Sequence, residues 1–140
     1  MNAPSPTDAP PRANPATHPF LIDTDTASDD AVAIIMALRS PDAQVKAITV
    51  VAGNVGLEQA VRNALYTVEL CDEMIPVFAG AAAPLARRLE SAEFFHGKDG
   101  LGDQGYPPPS RGPEAQDAVE AILETSRRHP GMLFDTLRAG

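Results

Sequence analysis

No apolar run in this chain approaches the roughly 20 residues a helix needs to cross a bilayer, and the first residues lack the basic-then-apolar order of a secretory signal. No membrane partner is expected, and the expected location is cytoplasmic. Cysteine is nearly absent. Cys71 stands alone, so no internal disulfide can form, and its place beside Leu70 in a helical pattern predicts a buried structural thiol rather than a nucleophile. Positive charge is scarce as well: 11 Lys and Arg against 19 Asp and Glu leave a net charge of −8. That balance argues against a nucleic-acid partner and suits a cation or a neutral small molecule. Large apolar residues are missing from the first 18 residues, MNAPSPTDAPPRANPATH, which contain five prolines. Such a segment cannot bury enough surface to offset the entropy of ordering, so residues 1–18 are expected to form a disordered tail.

What is present suits one globular domain. The chain has 140 residues, 44% of them hydrophobic, enough for a real core. From Pro19 the composition changes abruptly. Phe20 to Ile22 reads as a short strand, Ala31 to Leu38 as a helix, and Val45 to Gly53 as a β-branched strand apolar enough to be covered on both faces. Leu57 to Cys71 follows as a long helix and Ile75 to Gly80 as a third strand. Alternation of this kind predicts an α/β fold, an open and mostly parallel sheet with flanking helices. Ala81 to Pro113 is a long Gly- and Pro-rich segment, of the length that is usually functional or disordered. Pro113 to His129 restores a helix, with Pro113 and Glu114 in its first turn. The closing GMLFDTLRAG makes a poor strand by its composition, so the sheet is expected to stop at three.

The most informative stretch is LIDTDTASDDAVAI, residues 21 to 34, with Asp23, Asp25, Asp29 and Asp30 within eight positions. The first two follow a strand and the last two open a helix, which places all four at the carboxyl edge of a parallel sheet, where open α/β folds bind ligands. Helix capping by Ser28 or Asp29 accounts for one or two carboxylates. It leaves Asp23 and Asp25 unexplained, because like charges at close range are costly unless a cation screens them. A hard cation such as calcium or magnesium answers that cost.

The D-x-D-x-x-x-D-D spacing at a strand-to-helix turn resembles the opening of the inosine-uridine-preferring nucleoside hydrolases. Further resemblances follow in order: AITVVAGN (Ala47 to Asn54), VRNA (Val61 to Ala64), IPVFAGAAAPL (Ile75 to Leu85) and FHGKDGLGD (Phe95 to Asp103). Several ordered motifs are more specific than any one. The resemblance implies residues 19–140 to be the N-terminal part of a nucleoside hydrolase domain with a Rossmann-like core. It implies hydrolysis of the N-glycosidic bond of ribonucleosides to ribose and free base through a calcium-bound water, in purine or pyrimidine salvage. By the same resemblance Asp25 is both calcium ligand and catalytic base, and Asp30 is a bidentate calcium ligand. Asp29 and Asn54 bind the ribose, His96 lies on the base side, and Asp23 is a supporting carboxylate. A homo-oligomer is expected.

Two departures accompany it. Thr26-Ala27 stands where the family usually has Pro-Gly. Family chains are also longer, and their C-terminal portion supplies a further calcium-coordinating aspartate, a carbonyl ligand and a histidine that helps the base depart. The resemblance therefore implies a truncated or frameshifted chain with a half-built metal site. Two other readings stay open: a fragment that binds metal or ribose, or associates with another subunit, without turnover, and an aspartate-nucleophile phosphatase. Asp29-Asp30 at the helix start weighs against the phosphatase.

Overall fold

The computed structural model describes residues 17–131 and the backbone of residues 133–137. The predicted tail falls mostly outside them, but its last residue does not: β1 runs His18–Thr24, and the His18 N–H donates to the Asp42 carbonyl at 2.8 Å. The expected boundary at residue 18 is corrected accordingly, because backbone pairing extends an apolar strand into its polar flank.

From β1 the chain passes through α1 (Ser28–Arg39), β2 (Ala43–Val50), α2 (Leu57–Leu70), β3 (Val77–Ala79), the short α3 (Glu93–His96), α4 (Ala118–Arg128) and β4 (Leu133–Leu137). The strands form one parallel sheet in the order β3-β2-β1-β4. Two expectations fail here. The sheet does not stop at three strands: the LFDTL segment runs parallel to β1, Phe20 opposite Leu133 and Thr24 opposite Leu137. A central strand with an unfilled edge accepts a neighbour through its backbone, and that outweighs mediocre side-chain propensity. The last helix also starts later than predicted. Pro113 and Glu114 lie in extended chain beside β3, with the Glu114 N–H bonded to the Val77 carbonyl at 2.8 Å. The cap is Asp117, whose carboxylate accepts the Val119 N–H at 2.8 Å.

Helix α2 shows why the sheet is covered. Ala60, Val61, Ala64, Leu65 and Val68 recur at helical spacing and are buried against Ile22, Ile34, Ile48, Val50 and Val77. Cys71 is buried just past its end, as a structural thiol should be. Because right-handed crossovers are the rule, reversing the winding direction between β3 and β4 makes β1 the point where strand order switches. The residues that leave β1 therefore enter the crevice that such sheets use for ligands.

Candidate active site

The chain leaves β1 at Thr24, makes the turn Asp25 to Ala27 and enters α1 at Ser28. No side chain of the N-cap residue closes this helix; instead Asp30, in its first turn, reaches back to accept the Ala27 N–H at 3.0 Å. The capping role considered for Ser28 or Asp29 thus belongs to Asp30.

Asp23, on β1, is buried and accepts the Thr49 hydroxyl at 2.7 Å from the neighbouring strand, in register with it. Asp25, two residues further on, is also buried. Its Oδ2 accepts the Asn54 N–H at 3.0 Å, while its Oδ1 is buried with no hydrogen-bond partner among the described residues. Asn54 joins the two halves of the turn, since its side-chain amide donates to Asp30 Oδ2 at 3.3 Å. Burial pushes the Asp30 carboxyl up to about 6; Asp25 and Asp29 add to this, while the Ala27 N–H and the Asn54 amide oppose it. Asp29 differs from the others. It is 64% exposed at the rim, open to a ligand, with Oδ1 at 3.8 Å from His96 Nε2.

His96 belongs to the FHGKDGLGD motif. It ends α3, inside the long Gly- and Pro-rich segment, and is buried, with Nδ1 at 2.9 Å from the Ser28 hydroxyl and its ring edge-on to Phe95. All six residues singled out in the sequence, Asp23, Asp25, Asp29, Asp30, Asn54 and His96, therefore meet at one end of the sheet.

Four further residues shape the site and carried only faint sequence signals. Thr49 anchors Asp23 and Ser28 meets His96. Asn63, on the buried side of α2, donates to the Thr26 carbonyl at 3.0 Å. A polar residue on an otherwise apolar helix face was its signal. Gly53 has the sharpest requirement: a Cβ there would lie 2.6 Å from the Asp25 Cβ, so only glycine lets the backbone pass this carboxylate. Among the described residues, no group of three or more His, Cys, Asp or Glu side chains is placed to hold a metal ion.

The family model for inosine-uridine preferring nucleoside hydrolase matches residues 20–137. Uridine nucleosidase 1 of Arabidopsis thaliana is 41% identical over 114 residues, covering 80% of this chain and 34% of its own. The pyrimidine-specific ribonucleoside hydrolase RihA of Salmonella typhimurium is 44% identical over 110 residues, 78% of this chain and 35% of its own. Among solved structures, the purine-preferring ribonucleoside hydrolase from Gardnerella vaginalis superposes with a TM-score of 0.79 at 31% identity, over 84% of this chain and 39% of its own. The chain spans about a third of the length of the curated relatives it matches. The strand-end aspartates, the sheet that presents them and these likenesses agree: the chain belongs to the inosine-uridine preferring nucleoside hydrolase family.

Proposed function

We propose that this chain carries the ribose- and cation-binding side of a centre that hydrolyses the N-glycosidic bond of ribonucleosides to ribose and free base. The observation behind this is Asp25 Oδ1, a buried carboxylate oxygen with no partner among the described residues, set beside the desolvated carboxyl of Asp30. Buried carboxylates are normally satisfied, so an orphaned oxygen at the carboxyl end of a parallel sheet points to something that arrives.

A hard cation fits this donor set, and calcium is the proposed one. Asp25 and Asp30 would hold it, since among the described residues no lysine or arginine pairs with either. When bound, calcium supplies positive charge that offsets both carboxylates and lowers the pKa of water. Asp25 acts as general base, taking the proton of the attacking water on its carboxylate while the Asn54 N–H fixes the other oxygen. Exposed Asp29 and the Asn54 amide engage the ribose hydroxyls and hold the anomeric carbon towards that water. The carboxylates also favour the positive charge that develops on the sugar ring. Asp23, anchored by Thr49, supports the turn, and His96 stands on the side from which the base leaves. Assembly into a homo-oligomer is part of the proposal, and sedimentation velocity checks it.

A second reading is binding of metal or ribose without turnover, favoured by the share of its curated relatives' length that the chain covers, about a third. One experiment separates the two: ribose release from inosine and from uridine with added calcium, for the chain and for Asp25→Asn. Release abolished by the substitution supports hydrolysis. Calcium binding without release supports the second reading.

A further inference from the structure

The loop behind His96 is braced from within. Asp99 Oδ1 accepts the N–H groups of Leu101 at 2.7 Å and Asp103 at 2.9 Å, Asp103 Oδ1 accepts the Asp99 N–H at 3.1 Å, and the Gly102 N–H returns to the His96 carbonyl at 2.7 Å. These bonds tie the loop to itself, so what matters is how it is fastened to the turn that carries Asp25 and Asp30. Asn63 spans that gap. One side-chain nitrogen donates to the Thr26 carbonyl, in the turn, at 3.0 Å and to the Asp99 carbonyl, in the loop, at 2.8 Å. Its oxygen is held by the Gln59 amide at 2.9 Å, which fixes which way the side chain faces. Asn63 is 3% exposed, so water cannot replace these bonds cheaply. The fit is also close on the loop side: at Gly100, with φ +76°, an added Cβ would lie 3.0 Å from Asn63 Nδ2 and 3.1 Å from a Val55 methyl.

We propose that Asn63 is a positioning residue: its single amide keeps the loop behind His96 in register with the Asp25–Asp30 turn, and so sets the imidazole against Ser28 and Asp29. Its catalytic consequence rests on the hydrolase reading above, whereas its geometry can be tested without turnover.

The test uses the 140-residue chain labelled with 15N-histidine, whose ring nitrogens report tautomer and hydrogen bonding. The chain has three histidines, and His96→Gln assigns the relevant signals. Asn63→Ala is expected to abolish the distinct His96 pattern and bring its ring signals to the averaged position of exposed His18. Val68→Ala, a core change on the same helix, is expected to lower the melting temperature and leave those signals in place. Unchanged His96 signals in folded Asn63→Ala overturn the proposal, as does an equal displacement in Val68→Ala. Should Asn63→Ala fail to fold, Gly100→Ala presses on the same junction from the loop side and is read in the same way. A chain that releases no ribose yet shows the His96 displacement overturns the hydrolase reading and leaves the positioning role standing.

Discussion

Two acidic turns in this molecule, Asp25 to Asp30 and Asp99 to Asp103, carry aspartates at similar spacing in very different surroundings. In the second, each carboxylate accepts backbone N–H groups of its own loop, and Asp103 lies in solvent. The first is pressed against the sheet, with one Asp25 oxygen left unmatched and Asp30 stripped of water. Crowding of aspartates is thus a weak sign of a ligand site. Burial with an unmet oxygen is a strong one, because it costs stability that only a ligand returns.

The largest expected difference between the turns is catalytic. Asp25→Asn should lower ribose release by at least about 100-fold, the span of a general base, whereas Asp103→Asn should leave it within about twofold; equal losses would erase the contrast. Next comes packing. Gly53→Ala sets a methyl against Asp25 and should cost about 3 kcal/mol in urea unfolding, the upper range for overpacking. A smaller cost would mean that the turn can back away from the carboxylate. Proton linkage follows. With chelator present, Asp30 titrates at about 6 in the folded chain against an ordinary 3.8, so between those values the folded state holds a proton that the unfolded state has released. Stability is therefore expected to be greatest below the lower value and to fall by about 3 kcal/mol as pH rises through the higher one, a decline that Asp30→Asn removes. Added calcium should offset that decline, as read by thermal melts above pH 6, in the chain and in Asp103→Asn but not in Asp25→Asn. The smallest effect is that of Asp103→Ala, about 1 kcal/mol for the lost bond to the Asp99 N–H.

The sequence made the first turn legible because its aspartates sit between a strand pattern and a helix pattern, and position on a parallel sheet follows from that alternation. Strands β1 and β2 and helices α1 and α2 were legible for the same reason, apart from a few terminal residues. β4 was not, since its pairing comes from the open flank of β1 rather than from its own composition. Nor was the start of α4, where Asp117 outcompetes a proline that fits extended chain equally well. His96 was identifiable through its motif, but its burial against Ser28 depends on a contact across the fold that no local pattern encodes. Asn63 and Gly53 are of the same kind: each is fixed by an atom that sequence order places far away.

The strand order has a consequence for how the chain comes together. β1, α1 and β2 are consecutive, so the pairing of Asp23 with Thr49 closes only a short loop and can form early. Joining Phe20 to Leu133 closes nearly the whole described chain, and contacts of such long range are formed late and slowly. The aspartate cradle is therefore expected to acquire its shape in the first folding unit, as hydrogen-exchange labelling during refolding would reveal by protecting β2 amides before those of β4.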